Sequence, residues 1–176
     1  MRNKKIITLA MMLMLVPLKS YSYDIDITIS GEIYIPPCSI NNDTSISVDF
    51  GKVVISSIDG VNNAKTTTVP IKCPNSNGLP FVKISGPQDV SISENILKTN
   101  IPSLGIALYM GSNVDSSAML LFGSGDNGYG NKITTGLTGD GYSGNFTFTA
   151  VPHLTGLNMP ESGVFNASAL MSIVYK

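Results

Sequence analysis

Near its N-terminus the chain reads Asp24-Ile25-Asp26-Ile27-Thr28-Ile29-Ser30-Gly31-Glu32-Ile33-Tyr34-Ile35. Every second residue is an isoleucine, except where Gly31 interrupts the series. Such strict alternation predicts a strand with one apolar face and one polar face. The next two residues, Pro36 and Pro37, lack a backbone N–H and force an extended path, so this run cannot turn back tightly into a hairpin. Which sheet the strand joins must be decided by the rest of the chain.

The segment before this run has the pattern of a secretory signal. Three basic residues lie within the first five positions, an apolar stretch follows at 6–16, and small residues stand at Ser20 and Ser22. This three-part pattern predicts a signal peptide at residues 1–22, cleaved after Ser22. A membrane anchor is the alternative, but a spanning helix needs ~20 apolar residues and this stretch has about half that number.

Charge argues against nucleic acid and anionic membranes as partners. Residues 23–176 hold seven lysines, no arginine and twelve acidic residues, which gives a formal charge of −5. Phosphate binding needs clustered positive charge and favours the guanidinium fork of arginine. We therefore expect no nucleic-acid partner.

Two cysteines, Cys38 and Cys73, lie in the predicted mature chain. In an exported protein a disulfide between them is the default expectation, because the compartment is oxidising. A metal site is the alternative, but the only histidine is His153 and neither cysteine belongs to a C-x-x-C pair. We expect a disulfide, no metal and no cofactor.

From Cys38 onward the sequence is typical of an all-β protein. Short segments with β-like patterns are separated by Gly, Asn, Ser and Pro, and no segment has a sustained helical period. The predicted strands are 45–54, 65–73, 79–85, 103–110, 119–122, 142–151 and 164–175. The glycine-rich stretch 123–144 is predicted to be a long surface loop, with room for a short strand at 129–134. We find no internal repeat and no boundary within this single domain.

Two of these strands show the clearest alternation. In the first, Phe146 and Phe148 are predicted to point inward and Thr147 and Thr149 outward. The second ends the chain, and one face of it carries Phe165, Ala167, Ala169, Met171, Ile173 and Tyr175. Because no strand follows it, its edge is either covered by an earlier strand or open, and an open apolar edge is an aggregation hazard.

Together, the two ends of the sequence resemble the pilus subunits of the bacterial chaperone-usher pathway over the whole mature chain. The resemblance rests on the alternating run with Gly31, the cysteine pair, the segment Val48-Asp49-Phe50-Gly51 and the C-terminal block. In that block Gly163 is the fourteenth residue from the end and Tyr175 the penultimate one, as in the C-terminal motif of the family. Residues 33–42, 105–109 and 146–149 are most similar to the minor tip adaptor subunits of P pili.

This resemblance implies an incomplete immunoglobulin-like β-sandwich that lacks its final strand. Residues 1–22 would be the signal peptide, 23–36 an N-terminal donor-strand extension, and 37–176 the pilin domain. The donor run would offer Ile25, Ile27, Ile29, Gly31 and Ile33. The acceptor groove and chaperone contact would comprise Gly163, Phe165, Ala167, Ala169, Met171, Ile173, Tyr175 and Lys176.

The resemblance also implies a function and partners. A periplasmic chaperone fills the groove first, and at the outer-membrane usher the run of another subunit replaces the chaperone strand, a form of β-augmentation. The run of this chain would enter the adhesin, and its groove would take the run of the following subunit. The protein would thus be a tip adaptor in a fimbrium on the bacterial surface, exported through the periplasm. A major or fibre-forming pilin is the alternative; a carbohydrate-binding adhesin fits less well, because family adhesins carry an additional lectin domain and lack a donor run.

Signals for an enzyme or a ligand site are weak. The stretch 123–128 matches G-x-G-x-x-G, but no βαβ unit surrounds it. The same stretch lacks the ligand spacing of a calcium loop. A catalytic triad would need His153, which follows Pro152 and has no G-x-S-x-G elbow to serve. We therefore expect no catalytic residues and no small-molecule substrate.

Overall fold

The computed structural model describes residues 20–34, 36–123, 125 and 128–176. These residues form two units, an N-terminal segment that ends at Ile33 and a domain from Tyr34 to Lys176. Most of the predicted signal peptide lies outside the described residues, as does Ile35 of the alternating run. Within the described ranges, no helix is long and apolar enough to span a membrane.

The domain is built from short strands joined by turns. The strands are β1 (Ser39–Ile40), β2 (Lys65–Lys72), β3 (Pro80–Ser85), β4 (Ile96–Lys98), β5 (Leu104–Met110), β6 (Asn131–Lys132), β7 (Leu137–Gly139), β8 (Ser143–Leu154) and β9 (Leu170–Tyr175). Short 3-10 turns occupy Asn41–Asp43, Ile55–Ser57 and Ser116–Ala118. The all-β fold class is therefore confirmed.

The larger sheet is organised around β8, its longest strand. The strand order is β1-β2-β8-β5-β4, and β7 pairs with the beginning of β8. All these pairs are antiparallel, with Lys65 opposite Ala150 in the β2–β8 pair and Ala107 opposite Val151 in the β5–β8 pair. Long alternating strands thus hold the centre of the sheet.

A turn with an acidic residue joins β7 to β8. The Asp140 carboxylate accepts hydrogen bonds from the backbone N–H groups of Ser143 at 2.8 Å and Tyr142 at 3.0 Å. These bonds favour the ionised carboxylate and lower the pKa of Asp140. The charge of Asp140 therefore helps to fix this turn.

The smaller sheet carries the C-terminal strand. Its order is β6-β3-β9, and β9 runs antiparallel to β3 from Ser85 opposite Leu170 to Pro80 opposite Tyr175. Strand β9 has β3 on one side only in this sheet. Its other edge borders an open groove, which is the candidate site.

The hydrophobic core lies between the two sheets. Phe146 and Phe148 of β8 are buried there, as the alternation predicts, and Ile84 and Ile173 meet them from the smaller sheet. The predicted disulfide is present, with 2.08 Å between the sulfur atoms of Cys38 and Cys73. This bond links the beginning of the domain to the end of β2.

Three predicted strands differ from the structure. Residues 45–54 and 164–169 are not paired into strands, because neither segment has a neighbouring strand to bond with in the described structure. Residues 119–122 contribute only single bridges from Met119 and Phe122, since the side chain of Asn131 bonds both backbone groups of Leu121. In the stretch predicted as a long loop, β6 lies within the short strand predicted at 129–134, and β7 is a further strand that was not predicted.

Thr149 lies on the outer face of β8, as predicted, together with Val151, but that face is covered there. Its side chain is buried rather than exposed, and its hydroxyl donates to the Gly111 carbonyl at 2.8 Å. A second apolar cluster of Ile96, Ala107 and Val151, with Val114 packed against it, covers part of the outer face of the larger sheet. Alternation separates the two faces of a strand but does not show whether both are covered.

Candidate functional site

The candidate site is an open groove of about 820 Å³ along the unpaired edge of the domain. One wall is the segment 46–55 and the other is the segment 160–171. We refer to these as the first wall and the second wall. The two walls include most of 45–54 and 164–169, the parts of the predicted strands that the structure leaves unpaired.

The first wall alternates as a strand would. Ile46, Val48 and Phe50 are half-buried along the groove, and the residues between them are exposed. A local turn ends this series at Gly51, which has φ +62° and donates its N–H to the Asp49 carboxylate at 2.8 Å. The motif 48–51 therefore shapes one side of the groove.

The second wall is exposed over most of its length. Val164 is 86% exposed and Phe165 is half-buried. Its main support is Asn100, whose carboxamide oxygen accepts from the Asn166 N–H at 2.7 Å and whose amide nitrogen donates to the Val164 carbonyl at 3.1 Å. A side chain thus holds this wall in place of a strand.

The floor of the groove is the hydrophobic core itself. Buried side chains of β5 and β8 form the centre of this floor, namely Leu104, Ile106, Leu108, Phe148 and Ala150. Above them the two walls meet through Phe50 and Phe165, whose ring centroids lie 5.8 Å apart. The groove is therefore a gap in the sandwich rather than a pocket on its surface.

Both walls leave backbone groups free to bond. Among the described residues, 46–53 make no backbone–backbone hydrogen bond, and in 163–169 the only one is donated by Asn100 to the Asn166 carbonyl at 3.2 Å. Unpaired N–H and C=O groups along an extended edge are a template for an added strand. The apolar floor of the groove and the free backbone groups of its walls together suit an extended peptide in which every second residue is apolar.

One end of the groove is closed. The N–H of Cys38 donates to the Ile173 carbonyl at 2.9 Å, so the edge of β9 is already occupied there. Beyond it, the Leu79 N–H donates to the Lys176 carbonyl and the Lys176 N–H donates to the Leu79 carbonyl. Tyr175 lies at the same end, and burial together with the nearby charge of Asp140 raises the pKa of its hydroxyl. At the other end, near Gly163, the lining residues Glu161, Ser162 and Gly163 are exposed, and we call this the open end.

The structure places the predicted acceptor residues in two groups. The groove is lined by Gly163, Phe165, Ala167, Ala169 and Met171. Ile173 and Tyr175 are instead buried in the core, and Lys176 is exposed at the closed end. Sequence reasoning did not assign the first wall to the site, although the alternation of Ile46, Val48 and Phe50 could have indicated it.

The N-terminal segment forms a unit of its own. Its isoleucines Ile25, Ile27, Ile29 and Ile33 are between 82% and 99% exposed, and the described residues 20–34 contain no strand. A Cβ atom added to Gly31 would meet nothing within 4 Å in the described structure. Within the described residues 20–34, the apolar face predicted for the run is therefore exposed.

Comparison with known proteins assigns the chain to a family. Residues 27–176 match the family described as "Fimbrial protein". The chain belongs to the fimbrial protein family. Fimbrial proteins are structural subunits without enzymatic activity, and this fimbrial subunit shares the immunoglobulin-like pilin fold. The expectation of a non-enzymatic pilus subunit on the bacterial surface is thereby confirmed.

Relatives of this fimbrial subunit include minor pilus components. It is 41% identical to the fimbrial adapter PapF of Escherichia coli over 86% of this chain and 88% of PapF. It is 40% identical to the minor fimbrial protein PrsF of Escherichia coli, with the same coverage of 86% and 88%. A solved structure of the P pilus adaptor subunit PapF matches with a TM-score of 0.53 and 32% identity, covering 81% of this chain and 98% of that one.

Other candidate sites are not supported. In the part of the chain that the structure describes, no group of three or more His, Cys, Asp and Glu residues could hold a metal ion. His153, the residue a catalytic triad would need, is half-buried, and its Nδ1 lies 2.7 Å from the Leu154 carbonyl oxygen. Parts of the G-x-G-x-x-G match, Ser124, Asp126 and Asn127, lie outside the described residues. The groove is the best-supported site.

Proposed function

We propose that this fimbrial subunit is a minor tip adaptor that joins an adhesin to the tip fibre by donor-strand exchange. The observation that carries the proposal is the combination of an open, strand-shaped groove with an exposed, alternating N-terminal run in one chain. A subunit with both features has one site to receive a strand and one strand to give. The similarity to PapF and PrsF supports the adaptor position in particular.

As acceptor, the chain would take the run of the following subunit between its two walls. The incoming backbone would bond to the free groups of 163–169 and of the first wall. Its apolar side chains would replace water over Ile106 and Phe148. Main-chain bonds would supply register, and apolar burial would supply most of the free energy.

As donor, the chain would insert its own run into the pilin domain of the adhesin. Ile25, Ile27, Ile29 and Ile33 would enter apolar pockets, each contributing ~1.5–3 kcal/mol at full burial. Gly31 would mark a point where the two backbones approach too closely for a side chain. Pro36 and Pro37 would separate the run from the domain it leaves.

Before assembly, a periplasmic chaperone would cover the groove and hold the Lys176 carboxylate, and the outer-membrane usher would be the site of exchange. This order requires removal of residues 1–22, so that the extension 23–36 precedes the domain 37–176. Lys176 is exposed as a residue, although its backbone oxygen accepts a hydrogen bond from the Leu79 N–H, which the chaperone would have to accommodate.

Two measurements test the adaptor proposal. Deleting 23–35 should leave the chain able to join the following subunit but unable to retain the adhesin, as measured by subunit content in purified pili. The variant Thr28→Ala, on the polar face of the run, is the matched control and should retain the adhesin. Retention of the adhesin by the deletion variant would contradict the donor role.

Copy number distinguishes the adaptor from a rod or fibre subunit. We expect about one copy of an adaptor per fibre, whereas a major subunit would be present in hundreds. Specific glycan binding by the groove-filled subunit would instead support the adhesin alternative.

A further inference from the structure

Exposed apolar residues that the proposed function does not use lie close in sequence to the groove-lining residues 53–55 and 160–163. Val54 and Met159 are each 65% exposed, and Leu157 is fully exposed. Val54 lies between the lining residues Val53 and Ile55, and Met159 directly precedes the lining residue Pro160. We call these three side chains, Val54, Leu157 and Met159, the mouth patch.

The direction of an incoming strand follows from the closed end. Because the Cys38 N–H already bonds to the Ile173 carbonyl, a strand in the groove cannot continue past that point. Paired antiparallel to the second wall, as β3 is to β9, the donor run would have its N-terminal end toward Ile173. The C-terminal end of the run would leave the groove near Gly163, beside the mouth patch.

The length of the linker then brings two domains together. In this chain only Pro36 and Pro37 stand between the run and Cys38, the first disulfide residue of the domain. Two extended residues span about 7 Å. A donor subunit with the same linker would therefore hold its domain against the mouth of the groove rather than at a distance.

The end of the domain at which the linker enters, near Cys38, also carries exposed apolar residues, as the mouth patch does. We call it the donor end. In this chain Leu79 is 50% exposed and Tyr142 is 63% exposed. The Tyr142 carbonyl accepts from the Cys73 N–H at 2.9 Å, which places Tyr142 beside the disulfide. Leu79 bonds to Lys176, three residues beyond Ile173, whose carbonyl accepts from the Cys38 N–H. Two apolar surfaces would thus face each other across the short linker.

We propose that the mouth patch is a second contact between fimbrial subunits, which binds the domain of the subunit whose run fills the groove. This inference rests on the proposed function, because it presumes a donor run in the groove. The partner that binds the mouth patch is a fimbrial subunit with a two-proline linker and an apolar donor end. A second copy of this chain has both features and serves as the probe. This contact would strengthen the binding that the run provides and would restrict movement of the two domains about the two-proline linker.

The test compares two occupants of the same groove. In one complex the chain holds a synthetic peptide of residues 23–35. In the other it holds the run of a second copy, whose own groove is filled by a run fused after its Lys176. The half-life of each complex is measured at a fixed denaturant concentration, for the original acceptor chain and for the double variant Leu157→Ser/Met159→Ser.

We expect the double variant to shorten the half-life of the two-subunit complex about tenfold, since partial burial of two apolar side chains is lost. The peptide complex should change less than twofold. Leu79→Ser in the acceptor chain is the matched control, because it removes an exposed apolar side chain far from the mouth, and should change neither complex.

Three outcomes would overturn the inference. Equal effects on both complexes would show that the variant acts through the groove, and no effect on either would show that the domains do not touch at the patch. An effect confined to a complex with the periplasmic chaperone would make the patch a chaperone contact instead. Failure of the peptide to fill the groove at all would overturn the proposed function itself.

Discussion

Replacing Ile29 by alanine should destabilise a chain in which a second copy of residues 23–35 has been fused after Lys176. The substitution is made in the fused copy, which can reach the groove. In the N-terminal segment Ile29 is 91% exposed, so it has almost no burial to lose there. The same change in the N-terminal copy is therefore the matched control and should have no effect.

The size of the effect follows from burial in the groove. Full burial of an isoleucine contributes ~1.5–3 kcal/mol, and replacing a buried isoleucine by alanine typically costs about 2–5 kcal/mol, because a cavity is left. The groove floor consists of buried side chains such as Ile106 and Phe148, which cannot follow a shortened partner freely. We expect a loss of about 2–4 kcal/mol in the free energy of unfolding.

Urea denaturation at equilibrium measures this loss. Thr28→Ala in the fused copy is a second control, because Thr28 lies on the polar face of the run, and should change the free energy of unfolding by less than about 0.5 kcal/mol. Equal losses for Ile29→Ala and Thr28→Ala, or a loss caused by Ile29→Ala in the N-terminal copy, would refute the reasoning that one face of the run fills the groove.

Three further substitutions in the fused chain test features of the domain. Replacing Cys38 and Cys73 by alanine should lower the unfolding free energy in urea by about 4 kcal/mol, because the bond joins residues 35 positions apart; a loss below about 1 kcal/mol would contradict this. Thr149→Val should cost about 1–3 kcal/mol in thermal unfolding, since a buried carbonyl loses its donor; unchanged stability would argue against that bond. The lowered pKa of Asp140 stabilises the fold above the ordinary aspartate pKa of about 3.9, and this contribution is lost as pH falls through the lower folded value, so Asp140→Ala should flatten the acid decline. Parallel stability–pH curves would count against this role.

Much of the fold could be predicted because its central strands are long and alternate strictly. Phe146 and Phe148 identify the core face of β8, and the two cysteines identify the disulfide. The patterns of the run 24–35 and the block 163–175 indicate strands with one apolar face each. That the run is donated and that the edge of the block receives a strand is implied by the resemblance to pilus subunits. These patterns depend only on which side chains need burial, and sequence records that directly.

The remaining differences depend on neighbours, which sequence records poorly. Residues 45–54 have the pattern of a strand, but a strand needs a bonded partner and this segment has none in the described structure. Strand β4 has only three residues and lacks a recognisable period. The first wall was therefore predicted as a strand but not as part of the site.

Folding of the unfused chain without a chaperone tests the central claim most directly. The chain lacking its signal segment is compared with the chain carrying 23–35 after Lys176, by sedimentation and by cooperative urea unfolding. We predict that the unfused chain aggregates or shows no cooperative transition, and that the fused chain is a monomer that unfolds cooperatively. A stable, cooperatively unfolding monomer of the unfused chain would contradict the claim that the domain lacks a strand.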